Sequence, residues 1–174
     1  MKACGFLILF SFLILANTSF SQSLKKQKST DQEVNNLMKK LIALKIDTVY
    51  IEFSIDTFLI ERQLRENLKN TISDFDMREA YYTQAQQYDS LMNKYYKKLK
   101  GVLKDEDKKV LVSAQKAWLT IRDLESDLTE TISEEKYSGG GTLQKVVEAT
   151  EYLAIVRTRT INIFDHYTRA IQAY

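Results

Sequence analysis

The residues able to do chemistry are few in this chain and lie far apart. There is one histidine, His166, near the C-terminus, and one cysteine, Cys4, near the N-terminus. A lone imidazole on a helix supplies neither a nucleophile–base pair nor a metal-ligand cluster. No HExxH pair, no Glu-x-x-His pair of a di-iron bundle and no phosphate-binding loop occurs. Carboxylates are plentiful and read as solvated helix faces. Glu134 and Glu135, just ahead of a glycine run, are the pair of most interest. These residue types predict no catalytic group, no bound metal and no cofactor.

Recognition chemistry is better represented. Arg122 follows Trp118 by one helical turn, so its guanidinium can lie on the indole face. Arg157 falls on the line between Leu153 and Ile161 in the last helix, and an arginine there needs a partner because an unpaired buried charge is costly. Asp123 is the candidate partner and Glu125 the alternative. The arginine reads either as half of a structural ion pair or as a recognition residue on an exposed groove. The run Tyr137-Ser138-Gly139-Gly140-Gly141 permits positive φ and close backbone approach. It reads as a plain turn with a helix C-cap, or as a protruding loop that enters a partner's cleft with Tyr137 as anchor. Tyr81, Tyr88 and Tyr95 share one seam and read as core, whereas Tyr82 and Tyr96 point elsewhere.

These groups must be positioned by helices. The chain of 174 residues contains no proline, which suits long uninterrupted helices. Thr30-Asp31-Gln32-Glu33 has the pattern of a capping box, predicting a first helix from Thr30 with the stripe Val34, Leu37, Met38, Leu41 and Ile42. From Asp47 to Ile55, β-branched and aromatic residues alternate with polar ones, predicting a short extended segment. Helical periodicity returns from Thr57 to about Asn70. A third helix, about Asp76 to Lys100, has a nearly strict heptad seam through Met77, Tyr81, Gln84, Tyr88, Leu91, Tyr95 and Leu99. A fourth starts near Asp105 with the seam Val110/Leu111, Ala114, Ala117/Trp118, Ile121, Leu124, Leu128 and Ile132. The last runs from Thr142 to about Ala173 through Leu143, Val146, Leu153, Ile161, Phe164, Tyr167 and Ile171. Stripes this wide bury against one another, so the expected fold is all-α, an antiparallel bundle of about four to five helices.

Charge excludes some partners. With 25 basic and 23 acidic residues the chain is near neutral, without the basic excess of a nucleic-acid binder. Lys2, the apolar run Phe6 to Ala16 and the small residues Ser19 and Ser21 have the layout of a signal peptide over 1–21, cut before Gln22. The run is about half the ~20 residues of a membrane span, so no membrane insertion is expected after cleavage. Cys4 precedes the apolar run, so lipid anchoring is not expected either. The mature chain then contains no cysteine and must hold its fold by packing rather than disulfides, although export permits them. A flexible tail over 22–29, a helical extension over 30–72 and a main helical domain over 75–174 complete the expected organisation.

Four segments carry a family resemblance. Asp89, Met92 and Asn93 with Tyr96 fit an Asp-x-x-Leu-Asn segment followed by tyrosine; Ala114, Gln115, Trp118, Arg122 and Asp123 fit Ala-Gln-x-x-Trp-x-x-x-Arg-Asp. Gly139 and Gly140 match a glycine pair, and Leu153 to Arg157 matches a Leu-Thr-x-x-Arg segment with Ala154 in the threonine place. Together these segments resemble the LprI-type lysozyme-inhibitor family, and the resemblance spans roughly residues 75–170. It implies a small exported, non-catalytic helical domain whose partner is a protein, a lysozyme for some members, in the periplasm or outside the cell. Family cysteines correspond to Ala80, Ser126 and about Ala149, so the family's disulfide framework is missing. Inhibitors of basic animal-type lysozymes tend to present acidic charge; here that charge gathers locally in Asp123, Glu125, Asp127, Glu130, Glu134 and Glu135. The second reading is a structural or assembly module that binds another envelope protein, or itself, through helix faces. Its sign would be an exposed apolar stripe.

Overall fold

A computed structural model describes residues 25–69 and 71–172. These form six helices: α1 (25–43), α2 (Thr48–Lys69), α3 (Asp74–Val102), α4 (Asp105–Ile132), the single turn α5 (Glu135–Ser138) and α6 (Thr142–Gln172). The expected signal peptide, Cys4 and residues 22–24 of the expected tail lie outside the described residues.

Two expectations at the N-terminal side are corrected. The extended segment expected near 47–55 is helical and opens α2. Asp47 is the cause: its Oδ1 accepts the Val49 N–H at 3.1 Å, and its carbonyl accepts from Tyr50 and Ile51, so it caps the helix. Val49, Phe53, Ile60 and Leu64 also recur at helical spacing, and no strand among the described residues rewards the alternative. The start at Thr30 is corrected too, since the helix already runs at residue 25. The Thr30 hydroxyl donates to the Lys26 carbonyl, one turn back, instead of capping. Lys45 turns the chain between α1 and α2 at φ 56°, and Ile46 N–H donates back to the Leu41 carbonyl.

The chain divides into two compact units, Met1–Ile55 and Asp56–Tyr174. In the first, Val34, Leu37, Met38 and Leu41 of α1 are half-buried and Ile42 is exposed. The second contains the remainder of α2 and all of α3 to α6.

The core of the second unit is the pair α3 and α6, which run parallel. The Thr160 hydroxyl donates to the Tyr88 carbonyl at 3.0 Å, a separation of 72 residues. The Tyr95 and Tyr167 rings meet at 5.9 Å with the same offset, and Phe164 meets Tyr95 edge-on at 5.0 Å. Both helices carry a heptad in that register: Tyr81, Gln84, Tyr88, Leu91 and Tyr95 on α3 correspond to Leu153, Val156, Thr160, Ile163 and Tyr167 on α6. Small Thr160 accommodates the fully buried Tyr88 ring. On α6, Val146, Leu153 and Phe164 are buried as expected, but Leu143 and Ile161 are exposed, and Ala149, Val156, Thr160 and Ile163 take the buried places. Bulk alone misassigns this seam because its positions include alanine and threonine.

Within this unit α2 and α3, α3 and α4, and α4 and α6 run antiparallel. Asp56 of α2 pairs with Lys94 of α3, and Glu61 with Tyr88. Gln115 of α4 reaches Met92 of α3 and Arg159 of α6, while Glu130 nears Lys145 at the other end. The bundle is therefore all-α and up-and-down, with its tightest contact between two parallel members. Helix α4 is the exception to the expected burial. Its inward face carries Leu111, Gln115, Trp118, Arg122, Ser126 and Ser133, largely polar, whereas Val110, Ile121, Leu124, Leu128 and Ile132 are exposed.

Candidate protein-binding site

The site predicted around the glycine run is built by the end of α4, the turn α5 and the start of α6. Helix α4 stops at Ser133, whose N–H donates to the carbonyls of Thr129 and Glu130. One turn later Ser138 closes α5: its hydroxyl donates to the Ser133 carbonyl at 2.7 Å and accepts the Gly140 N–H at 3.1 Å. Gly139, Gly140 and Gly141 all have positive φ, at 80°, 70° and 93°. A side chain is disfavoured at each; a Cβ on Gly140 would also sit 3.4 Å from that of Glu135. The run is thus a tightly bonded turn, and it carries Tyr137, 61 % exposed, on its outer side. The Lys136 ammonium lies 5.0 Å from the Tyr137 ring and 2.9 Å from Glu134.

Beside this turn is an open cleft of about 480 Å³. Asp127, Glu130 and Glu134 line it together with Gly141, Gln144 and one cation, Lys145. Lys145 is 3.0 Å from Glu148 and 3.7 Å from Glu130, and the Glu148 hydrogen bond holds its pKa above the usual lysine range. The cleft remains acidic because carboxylates outnumber that lysine. Of the expected contact residues, Glu134 and Gly141 line the cleft, while Glu135, Tyr137, Ser138, Gly139 and Gly140 form the adjoining turn. The cleft's Gln144 and Lys145 carry no sequence signal of their own, since they join it only through the turn.

The motif residues occupy the middle of the bundle instead. Asn93 donates to Asp89 at 3.0 Å on the outer side of α3, and Tyr96 is half-buried. Gln115 donates to the Met92 sulfur and accepts from Arg159 through both Nε and Nη2 at 3.1 Å. The Arg122 guanidinium lies 5.6 Å from the Trp118 ring, as the spacing predicts, and Arg159 lies 5.8 Å from the same ring. Asp123 pairs with Arg122, its chain neighbour, at 2.6 Å.

The Arg157 expectation is corrected. Its side chain is 51 % exposed and pairs with Glu61 of α2 at 3.1 Å, not with Asp123 or Glu125. Leu153, Val156 and Thr160 define the buried line of α6, and Arg157 sits one residue, about 100°, off it. Glu61 also accepts the Tyr88 hydroxyl at 2.6 Å, so one carboxylate joins three helices. Burial, then that hydrogen bond, pushes the Tyr88 hydroxyl well above the ordinary tyrosine range. The arginine that does face α4 is Arg159, whose pKa is lowered by burial. Sequence reasoning passes over Arg159 and Glu61 because their partners are 44 and 27 residues away.

His166 is bound by Arg169 through Nδ1 at 2.6 Å. Burial, then the positive charges of Arg169 and Arg159, lower its pKa. Among the described residues no group of three or more histidines, cysteines and carboxylates is arranged to hold a metal ion, and no helix is long and apolar enough to cross a membrane. Ala80 and Ala149, where the resemblance places cysteines, are buried, and Ser126 donates to the Arg122 carbonyl.

No curated protein and no solved structure matches the chain. A model of the lysozyme inhibitor LprI family matches residues 65–162, from the last turns of α2 through most of α6. That match spans more than half of the chain and contains the Trp118, Arg122 and Asp123 cluster and the acidic cleft: the protein belongs to the LprI lysozyme-inhibitor family.

Proposed function

We propose that this chain is an exported, non-catalytic binding protein that inhibits a basic, animal-type lysozyme and so protects a cell envelope. The observation that carries this reading is the acidic cleft of Asp127, Glu130 and Glu134 beside the exposed Tyr137 turn. Family membership supports a protein partner of lysozyme type. A cleft lined by one sign of charge raises the encounter rate with an oppositely charged protein, and an exposed tyrosine on a rigid turn offers an anchor at low entropic cost. Glu134, Glu135, Tyr137, Ser138 and Gly139 to Gly141 are the proposed contact residues. The leader-like N-terminus and the family support export to the periplasm or beyond.

Titrating the purified protein into muramidase assays on cell-wall substrate tests this. Saturable inhibition of an animal-type enzyme that weakens with salt is expected. Tyr137→Ala should raise the inhibition constant about tenfold or more. Folded, helical protein that leaves animal-type, goose-type and bacterial lysozymes uninhibited at low salt would overturn the reading.

A further inference from the structure

The starts of α3 and α6 lie at one end of the second unit together with the end of α4, because α3 and α6 are parallel and α4 runs against both. The Thr142 hydroxyl donates to the Asp74 carboxylate at 2.5 Å, which ties the α2–α3 junction to the glycine turn. That junction displays two large apolar side chains: Ile72 is 95 % exposed and Phe75 60 %. Both are firmly mounted. The Ile72 N–H donates to the Asp76 carboxylate at 3.2 Å, and the Thr71 hydroxyl beside it donates to the Leu68 carbonyl at 2.8 Å. The Arg78 guanidinium lies 4.8 Å from the Phe75 ring. An isoleucine held this far into water adds little to the packing of its own chain. Tyr137 is mounted in the same way, on a hydrogen-bonded turn at the same end.

We propose that the α2–α3 junction is a second arm of the lysozyme-binding surface, in which Ile72 and Phe75 seat against the same basic protein that Tyr137 anchors. This rests on the lysozyme reading above and adds a contact to it. Charge and continuity select the occupant. Asp74, Asp76 and Glu79 stand beside the two apolar side chains, so this arm repeats the composition of the first, an apolar anchor among carboxylates. The cations nearest in sequence, Lys69 and Arg78, pair with Glu66 and Glu79. An apolar centre with a rim of one sign fits a partner of the opposite sign. A second copy of this chain, meeting the face symmetrically, would set carboxylates against carboxylates. Beside Phe75 a cleft of about 350 Å³ opens between α2 and α3, lined by Asn67, Thr71, Glu79 and Thr83. Its amide, hydroxyls and carboxylate suit a basic side chain of the partner. Both arms are fixed by their own hydrogen bonds before contact, so little ordering entropy is lost on binding.

The test is calorimetric titration of an animal-type lysozyme into the purified protein at low salt. Ile72→Ala and Phe75→Ala should each weaken binding about threefold to tenfold. Ile72→Lys should weaken it at least ~30-fold, and more than Ile72→Glu, because it sets a cation against a basic partner. Helicity should be unchanged, since these side chains are exposed. Val102→Lys, at the opposite end of α3, should leave affinity within about twofold as a control. Binding that Tyr137→Ala weakens but Ile72→Lys and Phe75→Ala leave intact overturns the second arm and leaves the lysozyme reading standing. Absence of any lysozyme binding by the unsubstituted chain overturns both. Sedimentation equilibrium tests the rival occupant: self-association with a dissociation constant on the order of micromolar that Ile72→Lys abolishes would assign this face to a second copy and overturn the proposal.

Discussion

Tyr88 is 1 % exposed between α3 and α6, and its hydroxyl finds an acceptor on a third helix, at Glu61. A buried hydroxyl without a partner costs more than the bond itself contributes. Removing the acceptor, Glu61→Ala, should therefore cost about 2 kcal/mol, and Tyr88→Phe only about 1 kcal/mol. Chemical denaturation of the two variants and their double should give non-additive losses. The same hydroxyl predicts alkaline behaviour. Its folded pKa is raised above the unfolded value of about 10, so the folded state holds the proton longer. That contribution is complete below about pH 10 and declines as pH rises further; Tyr88→Phe should flatten stability above that point. His166 titrates in the other sense. Its folded pKa is lowered, so it contributes stability above the unfolded value of about 6.5 that is lost as pH falls through the folded value. As the only histidine, it gives a clean NMR titration, expected below 6.5 and moving upward in Arg169→Gln.

At the scale of elements, caps decide boundaries that periodicity leaves open. Ser73 accepts the Asp76 N–H, and Asp76 accepts the Ser73 hydroxyl and the Ile72 N–H, which closes a reciprocal cap on α3. The hydrogen bond from Ser73, then that from Ile72, lowers the Asp76 pKa. Its stabilising role is present above the unfolded carboxylate range and lost as pH falls through the folded value. Ser73→Ala should destabilise by about 1 kcal/mol, read as a fall in melting temperature. At the other helix junction, Lys45 holds φ 56°, a conformation that costs a side-chain-bearing residue roughly 1 kcal/mol. Lys45→Gly should recover about that amount, because glycine adopts a left-handed helix terminus freely. Ser73-x-x-Asp76 and Thr30-x-x-Glu33 carry the same capping-box pattern, so the pattern alone does not tell the true cap from the false one.

At the scale of the described molecule, α3 and α6 bury their apolar seams against each other while α4 leaves its apolar face exposed. Leu91 is buried in the α3–α6 seam and Leu124 lies on the open seam of α4. Leu91→Ala should cost about 2–5 kcal/mol, and Leu124→Ala under ~0.5 kcal/mol. Equal losses would mean that α4 packs by its apolar side within one chain. The sequence by itself determined an all-α chain, the extents of α3, α4 and α6, the α3 seam, the Trp118–Arg122 stacking and the family, because all of these reside in local spacing. The heptads on α3, α4 and α6 look alike along the chain, and periodicity states only that a face is apolar, never what covers it. Tertiary structure decided that α3 and α6 pair in parallel, that α4 turns its polar face inward, and that Arg157 meets Glu61 while Arg159 meets Gln115. It also gathered Asp127, Glu130 and Glu134 into one cleft. Those choices depend on which helix faces meet across long stretches of chain, where burial and pairing of charge outweigh any local preference.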